Sequence, residues 1–420
     1  MAERAYPWVF EGITDSTERQ VIPMQYRTDP KNQESLSVLG FGCMRFTRRG
    51  GQIDQKKADR EMKRALDLGV NYFDTAYVYP GSEVCLGRFI KRYRCRSRIH
   101  IATKLPHYRV HKREDFDRYF KEELERLQTD YVDYYLMHML NDQKSWERLV
   151  GLGILDWIRD RKAAGQIRNI GFSFHGGTEA FEALLGAYDW DFCQIQYNYM
   201  DEHAQAGTKG LLAAQKKGIP VIVMEPLRGG RLAKLPRDAR AAFRHLEKDR
   251  SDAEWGLRWV WNHPAVTVVL SGMNDIAQVE ENARIAEESR PRSLTKRELA
   301  GYRYALKKLR AKLVVGCTGC GYCQPCPHGV DIPNCFSAYN NSHTEGWFVG
   351  FREYLMCTIL RRDKANAGLC VQCGACEKRC PQKLPIRKEL AACRRYFETP
   401  LCAVVERVSG WIMTYCQRKR

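Results

Sequence analysis

Short apolar runs alternate with amphipathic stretches along the first 300 residues of the chain. The runs are rich in β-branched and aromatic residues, as expected of strands that are buried on both faces. They lie at residues 36–44, 71–76, 100–105, 132–138, 167–174, 192–198, 221–227 and 266–273. The stretches between them, such as QKKADREMKRALDLG and REDFDRYFKEELERLQTD, have the periodicity of helices with one apolar face. Eight strand–helix units in about 260 residues predict a (β/α)8 TIM barrel.

The same alternation allows a doubly wound open sheet, but no GxGxxG motif follows the first strand. Residues 1–23 are interpreted as an N-terminal extension, and the barrel is predicted to span residues 24–292. Residues 293–420 are predicted to form a helical linker and a small, mainly helical ferredoxin-like domain. The tail PLCAVVERVSGWIMTYCQRKR is too short and too charged to cross a bilayer, so we expect a packing helix and no membrane span.

Two four-cysteine runs stand out in the last quarter of the chain. The first is C-x2-C-x2-C-x2-C-P and the second is C-x2-C-x2-C-x3-C-P. Their members are Cys317, Cys320, Cys323 and Cys326, and Cys370, Cys373, Cys376 and Cys380. Such spacing wraps the backbone around a cubane that binds four thiolates, so we predict two 4Fe–4S clusters. Zinc is the alternative, but zinc sites usually separate two cysteine pairs by a longer loop.

The assignment of cysteines to clusters follows a rule of two-cluster ferredoxins, in which the fourth cysteine of each run serves the other cluster. By that rule Cys380 completes the cluster of the first run and Cys326 that of the second. The first run has two residues, not three, before its last cysteine, which leaves Cys335 as a substitute ligand. The remaining cysteines of this region are expected to pack as small apolar groups. They are Cys357, Cys393, Cys402 and Cys416.

Positive charge is concentrated in the same region. The chain has a formal net charge of +18, and residues 301–420 hold 20 Lys and Arg against 8 Asp and Glu. A basic domain attracts an acidic electron carrier, such as a ferredoxin or flavodoxin, which we expect as a partner. Nucleic acid is the competing interpretation, but the basic residues are scattered and no binding motif is present. The 17 Cys and a start without an apolar signal-peptide core predict a cytoplasmic location.

Three ionisable residues end three successive predicted strands. Asp74 ends the second strand, Lys104 the third and His138 the fourth, and Tyr79 follows on the loop after the second. In a TIM barrel these strand ends meet at the face that holds the active site. A lone His or Asp there is often structural, for example as a helix cap. A buried Lys, however, requires an anionic partner, and Asp74 on the neighbouring strand would supply it.

These segments resemble the aldo-keto reductase superfamily. FDTAYVYPGSEVCLG is similar to the family's DTAxxYGxSExxLG signature, and ATK and YYLMH match the strand ends that carry its Lys and His. Further matches are LGFGCMRF, GFSFHG, QIQYNYMD and MEPLRGG, so the whole chain is similar to the subgroup with a C-terminal dicluster 4Fe–4S domain. The resemblance implies an NAD(P)-dependent oxidoreductase that interconverts a small carbonyl compound and its alcohol.

The resemblance also implies roles for the strand-end residues. Tyr79 would protonate the carbonyl oxygen while hydride reaches the carbon, and Lys104 paired with Asp74 would lower the pKa of the phenol. His138 would orient the carbonyl by a hydrogen bond to its oxygen.

A nucleotide-binding set follows from the same resemblance. Its members are Ser173, Gln194, Leu227, Arg228, Gly229, Gly230, Ser271, Gly272, Gln278, Glu281 and Asn282. Met224 stands where many relatives stack a Tyr on the nicotinamide, and Phe174 where many have Asn. The basic residue that usually meets the 2′-phosphate is missing at Met273–Asn274, so NADP and NAD both remain open. For the last segment, an ordinary capped helix is the alternative.

Three functions are compatible with these patterns. The first is a reductase whose clusters exchange electrons with a carrier, although nicotinamide gives two electrons together, a cluster takes one, and no flavin motif is present. The second is a reductase whose clusters are structural or sense oxygen. The third is an electron-transfer or redox-sensing protein whose barrel is not an active reductase, against which the complete set of four strand-end residues argues.

Overall fold

Eight parallel strands close into a barrel in the computed structural model, which describes residues 24–405 except 248, 312, 318, 320, 322, 362, 381 and 382. The strands are β1 (Leu39–Gly42), β2 (Tyr72–Asp74), β3 (His100–Leu105), β4 (Val132–Met137), β5 (Ile167–Phe174), β6 (Phe192–Gln196), β7 (Val221–Met224) and β8 (Val266–Ser271). They follow chain order around the barrel, and β8 pairs with β1 to close it. The predicted TIM barrel is therefore confirmed, and each predicted apolar run contains one strand.

Helices cover the outside of the barrel. They are α1 (Gln55–Asp67), α2 (Ser82–Tyr93), α3 (Glu114–Leu127), α4 (Gln143–Gly151), α5 (Ile154–Ala163), α6 (Thr178–Ala187), α7 (Gly207–Lys216), α8 (Arg237–Arg244), α9 (Asp252–Trp261) and α10 (Ile276–Glu288). The two stretches predicted from periodicity are α1 and α3. In α1 the side chain of Asp54 accepts the backbone N–H of Lys57 as a cap, and Met62 and Ala65 are fully buried on its inner face.

Short elements join these parts. Two antiparallel ribbons pair Tyr26–Thr28 with Ser35–Ser37 and Arg48–Arg49 with Gln52–Ile53. Single 3-10 turns occur at Cys43–Arg45, Arg96–Arg98, His107–Arg109 and Arg228–Ala233. A buried cluster that includes Leu36, Tyr72, Tyr134 and Phe192 fills the barrel interior, so the barrel is a packed core whose polar groups gather at the strand ends.

The described residues after α10 are mainly helical, as predicted. It contains α11 (Lys296–Arg310), α12 (Ile332–Glu345), α13 (Trp347–Tyr354), a π-helical segment (Leu355–Ile359), a 3-10 turn (Ala367–Leu369), α14 (Ala375–Arg379) and α15 (Ile386–Phe397). The linker helix α11 packs on the barrel, where Tyr302 donates to the carbonyl of Trp255 at 2.6 Å. From Val315 to Cys402 the chain has a separate hydrophobic core, and we call this part the helical unit.

Some predictions concern residues outside this description. The N-terminal extension, residues 1–23, lies outside the described residues, and the proposed boundaries at 292 and 293 stay a prediction. Residues 400–405 of the tail are helical, and 406–420 are not described. Between residues 24 and 405, apart from the gaps given above, no helix is long and apolar enough to cross a membrane.

Candidate active site

Lys104 and Asp74 form the centre of a polar site at the C-terminal end of the barrel. They lie on the adjacent strands β3 and β2, and Lys104 is 1% exposed. Its Nζ lies 2.7 Å from each carboxylate oxygen of Asp74 and also donates to the carbonyl of Thr75 at 2.5 Å. An unpaired ammonium at this depth would be strongly unfavourable, and three acceptors satisfy it. The ion pair that the strand ends predicted is therefore present.

Tyr79 lies over this pair. The Nζ of Lys104 is 5.4 Å from the centroid of the Tyr79 ring, and the imidazole of His138 meets the same ring edge-on at 5.9 Å between centroids. Burial, followed by the nearby charges of Asp74 and Glu225, raises the pKa of Tyr79 above its ordinary value. Lys104 was expected to lower the pKa of Tyr79, but no such lowering appears. The ammonium of Lys104 faces the ring, but Asp74 neutralises its charge. The phenol is therefore protonated at neutral pH.

His138 completes the group on β4. It is 7% exposed, and its Nδ1 has no hydrogen-bond partner among the described residues. Burial, with a smaller effect of the charge of Lys104, lowers the pKa of His138 well below its ordinary value. The imidazole is therefore neutral and has one N–H to donate.

Two predicted nicotinamide residues lie beside these groups. Ser173 on β5 and Gln194 on β6 are direct partners in the strand register and are both about 1% exposed. The Nε2 of Gln194 donates to Oδ2 of Asp74 at 2.9 Å, and Oγ of Ser173 accepts the backbone N–H of Met139 at 2.8 Å. The structure thus brings both residues to the same end of the barrel as Asp74.

The remaining predicted nucleotide residues occupy two loops and the helix α10. In the loop after β7, which holds Leu227, Gly229 and Gly230, both glycines have left-handed backbone, with φ of 70° and 97°. The loop after β8 contains Ser271 and Gly272.

That second loop is tied to α10. Asn282 donates to Oγ of Ser271 at 3.0 Å, and Gln278 accepts the backbone N–H of Asn274 at 3.2 Å. Gln278 is exposed and Glu281 is half-buried.

Arg45 is a candidate that sequence reasoning missed. A Cβ built on Gly229 would lie 3.1 Å from its guanidinium, and one built on Gly272 would lie 3.2 Å from its Cδ. The side chain therefore spans the two glycine loops, and it is exposed. Its place just after β1, in LGFGCMRF, was the signal that could have identified it.

Arg228 lies in the loop after β7, but its side chain bonds Asp201 and the helical unit. It is 6% exposed, its Nε lies 2.7 Å from Oδ2 of Asp201, and its Nη2 donates to Asn341 on α12 at 2.9 Å. The side chain therefore joins the barrel to the helical unit, a contact that the spacing of MEPLRGG could not reveal.

The cysteine runs lie at the edge of the helical core. Cys323 and Cys376 are buried, Cys373 is exposed, and Cys320 lies outside the described residues. The other predicted ligands are half-buried and pack against that core: Cys317, Cys326, Cys370 and Cys380.

The backbone around these cysteines is suited to hold thiolates. Gly319, Gly321 and Gly374 have left-handed conformations in the tight turns of the runs, and the N–H of Gly319 lies 3.4 Å from Sγ of Cys317. Within the described part of the chain, no three His, Cys, Asp or Glu side chains converge closely enough for a single metal ion. A 4Fe–4S cubane is larger than a single metal ion and holds its four thiolates further apart. The partly exposed thiols in the turns of the two runs therefore fit a cluster.

The remaining cysteines behave differently. Cys335 is fully buried in α12, its thiol lies 3.8 Å from the carbonyl oxygen of Ala365, and burial raises its pKa well above the ordinary value. This environment favours a neutral thiol over a substitute ligand. Cys357, Cys393 and Cys402 are buried, as expected of packing residues, and Cys416 is not described.

The closed barrel and its strand-end quartet define a TIM-barrel oxidoreductase. Residues 38–291, more than half of the chain, match the Aldo/keto reductase family, and residues 316–384 match the 4Fe-4S dicluster domain. The chain therefore belongs to the Aldo/keto reductase family, and it is an oxidoreductase of that family with a 4Fe–4S domain.

Individual relatives cover the barrel part. L-galactose dehydrogenase of Arabidopsis thaliana is 28% identical over 278 residues, 60% of this chain and 85% of its own length. Aldo-keto reductase yakc [NADP(+)] of Schizosaccharomyces pombe is 23% identical over 49% of this chain and 63% of its own. The holo form of aldo-keto reductase AKR11C1 from Bacillus halodurans aligns with a TM-score of 0.56 and 27% identity, over 67% of this chain and 96% of that one.

Proposed function

We propose that the barrel interconverts a small carbonyl compound and its alcohol with NADP(H) or NAD(H). The observation that carries the proposal is the buried Lys104–Asp74 pair beneath Tyr79, with the neutral His138 against the same ring. The nicotinamide, when bound, supplies or accepts the hydride. The name of yakc [NADP(+)] and the family membership support a nicotinamide cofactor.

Each side chain of the site has a distinct task in this proposal. Tyr79, protonated at neutral pH, donates its proton to the carbonyl oxygen as negative charge develops there. Lys104 offsets the negative charge of Asp74 beneath the phenol, and Asp74 holds Lys104 in place. His138 donates its single N–H to the same oxygen and orients the carbonyl. Ser173 and Gln194 would hold the carboxamide of the nicotinamide.

The test is the substitution Tyr79→Phe, which removes the proton donor and keeps the ring. Carbonyl reduction should fall by at least about 100-fold, the usual contribution of a positioned acid. Nucleotide binding, measured by fluorescence, should be retained. If Tyr79→Phe reduced carbonyl compounds at the wild-type rate, Tyr79 would not be the proton donor and the proposal would be wrong. A wild-type protein that binds nucleotide but reduces no carbonyl compound would instead support the electron-transfer alternative with an inactive barrel.

For the helical unit we propose two 4Fe–4S clusters that exchange electrons with an acidic carrier in the cytoplasm. Cys317, Cys320, Cys323 and Cys380 would bind one cluster, and Cys370, Cys373, Cys376 and Cys326 the other. The exposed surface around the second run supports a docking role, because it combines the exposed Cys373 with Val371, which is 58% exposed, and several cations. These exposed cations are Lys378, Arg379, Lys383, Arg387 and Lys388.

Anaerobic stopped-flow mixing of the iron-reconstituted protein with NADPH or NADH tests whether the clusters take part in the reaction. Bleaching of the visible cluster absorption, without added flavin, supports electron exchange between the barrel and the clusters. If nucleotide binds but the absorption persists, hydride transfer is confined to the barrel and the clusters serve a structural or sensing role. Electron transfer from a reduced acidic carrier should slow as salt screens the cations.

A further inference from the structure

A second set of buried polar groups lies between the barrel and the helical unit, and Arg228 is at its centre. Arg228 and Asp201, whose carboxylate is 2.7 Å away, are 6% and 9% exposed. Asp201 follows β6 of the barrel, whereas Asn341, which accepts from the same guanidinium, belongs to α12. The planar fork of one arginine therefore bonds two parts of the molecule at once.

On the barrel side this network reaches the strand that carries Gln194. The Oδ2 of Asp201 also accepts from Nε2 of Gln196 at 2.8 Å and from Nδ2 of Asn198 at 3.1 Å. Gln194 and Gln196 are two residues apart on β6, so their side chains lie on the same face of the strand. Because Arg228 sits in the loop after β7, its position is linked to both the nucleotide loop and β6.

On the helical side the network reaches the first cysteine run. Asn341 also donates to the carboxylate of Glu353 on α13. Its neighbour Asn340 exchanges two 2.8 Å hydrogen bonds with the backbone of Val315, two residues before Cys317. Two consecutive side chains of α12 therefore hold Arg228 and the segment that leads into the first run.

A small cavity of about 50 Å³ is lined by both Arg228 and Cys317. Met200 and Asp201 line its barrel side, and Gly319 lines its helical side. The turn at Gly319 rests directly on the barrel, since a Cβ built there would lie 3.0 Å from the carbonyl oxygen of His203. The buried cation and a predicted cluster ligand thus face the same space.

We propose that Arg228 is a positioning residue that couples the 4Fe–4S cluster of the first run to the nucleotide loop of the barrel. This inference rests on the proposed function, because it requires a cluster in the first run and a nucleotide on the loop. Loss of the Arg228 charge would leave Asp201 unpaired and would therefore disfavour the reduced, more negative cluster. The hydrogen bonds of Arg228 hold α12 against the loop, and Asn340 of α12 binds the segment before the first run. An anionic nucleotide on the loop lowers the reduction potential of that cluster, and reduction weakens nucleotide binding by the same factor.

The experiment is an EPR-monitored redox titration of the iron-reconstituted full chain, with and without NADP⁺. In Arg228→Gln we expect the first-run cluster to be harder to reduce, by roughly tenfold in its reduction equilibrium, or about 59 mV for a one-electron couple. Arg228→Lys keeps the charge and should retain the wild-type potential. The lysine of Arg228→Lys cannot bond Asp201 and Asn341 at the same time as the planar guanidinium does, so the effect of NADP⁺ on the reduction potential should diminish.

Two control variants identify the cluster and the interface. Arg387→Gln should change the reduction potential of the second-run cluster only. A Cβ built on Gly374, which lies in the second run, would be 3.6 Å from the Arg387 guanidinium. Lys144→Gln removes an exposed 2.7 Å ion pair with Asp363 that also joins the barrel to the helical unit. It should leave both potentials unchanged, because exposed pairs contribute little.

The outcomes separate the inference from the proposed function. Equal first-run potentials in wild type and Arg228→Gln would overturn the inference, as would equal shifts of both clusters. If Arg228→Gln does not fold, Asn341→Ala replaces it, and an unchanged response to NADP⁺ in that variant would likewise overturn the inference. A wild-type protein that binds no iron in the first run would instead contradict the proposed function.

Discussion

Tyr79 owes its protonation state to its surroundings more than to its nearest cation. The ammonium of Lys104 donates hydrogen bonds to both oxygens of Asp74 and to the carbonyl of Thr75, so little of its charge acts on the phenol. Burial then dominates and raises the pKa of Tyr79. The same burial keeps His138 neutral. At the scale of single residues, the site is therefore set up as a proton donor and a neutral hydrogen-bond donor.

Arg45 is expected to contribute binding energy for the phosphates of the nucleotide. The substitution Arg45→Gln removes a cation that spans Gly229 and Gly272, and we expect the Kd for NADPH to rise about tenfold, as for a lost charged hydrogen bond. Fluorescence titration measures the effect. Arg48→Gln, a change at an exposed arginine three residues away, is the matched control and should leave the Kd unchanged. A larger loss for NADPH than for NADH would place the guanidinium at the 2′-phosphate.

His107 predicts a pH dependence of stability. Burial lowers its pKa to about 4, its Nε2 lies 3.2 Å from the carbonyl oxygen of Met139, and its Nδ1 has no partner among the described residues. The unfolded chain therefore binds a proton that the folded chain does not between about pH 6.5 and about pH 4. Stability from this group is present above that range and is lost as the pH falls through it.

The substitution His107→Gln tests this assignment, because its amide can still donate to Met139. Urea unfolding at several pH values should show a shallower acid loss in the variant, by on the order of 3 kcal/mol at full protonation. His203→Gln, at a half-exposed histidine, is the control for the loss of an imidazole away from this site. An identical slope in His107→Gln and wild type would contradict the prediction.

At the scale of elements, α12 and α13 pack closely because Gly350 has no side chain. A Cβ there would overlap the carbonyl oxygen of Ala338 and the backbone of Ser342. This close approach places Asn341 of α12 between Arg228 of the barrel and Glu353 of α13, while Asn340 binds the backbone of Val315. The position of the first cysteine run thus depends on the packing of two helices that the runs themselves do not predict.

Gly350→Ala should therefore loosen the helical unit and spare the barrel. We expect a loss of about 1–3 kcal/mol from overpacking, seen by hydrogen exchange as reduced protection of α12 and α13 with unchanged protection of β1–β8. Gly186→Ala in α6 is the control, since nothing lies within 4 Å of its Cβ position. Uniform loss of protection across the whole chain would show that the helices do not unfold separately.

At the scale of the whole molecule, two hydrophobic cores divide the described residues. One includes residues from Met24 to Leu306 and the other from Val315 to Cys402, and buried polar groups around Arg228 join them. The smaller core has the predicted cluster ligands along its edge, so clusters would cross-link the segments that surround it. The barrel, in contrast, has a large core of its own and a second cluster inside its ring of strands.

Removal of iron should consequently affect the two cores unequally. After chelation under anaerobic conditions, we expect calorimetry to show a lower melting temperature for the helical unit and a persisting transition for the barrel. The barrel supplies none of the predicted cluster ligands and has a hydrophobic core of its own, so its transition should need no iron. A single transition that shifts as a whole would mean that the interface makes both cores one cooperative unit.

Much of this architecture could be predicted from patterns along the chain. Buried parallel strands need apolar runs and their helices need one apolar face, so each strand–helix unit could be predicted from residues close together in the sequence. Asp74, Lys104 and His138 follow from the rule that strand ends meet at one face. The spacing of each cysteine run is likewise a local property. These features can be predicted without the tertiary structure because they depend on residues that are close in sequence.

Tertiary structure alone decided the features that depend on distant residues. Arg228 contacts a residue 113 positions away, and Arg45 spans two loops that lie far along the chain. The pKa of Tyr79 depends on the burial of its ring and on the nearby charge of Asp74, and the spacing of residues in the sequence predicts neither. Periodicity thus determined the barrel and the places of its strand-end groups, whereas packing decided how those groups are charged and brought Arg228 against the helical unit.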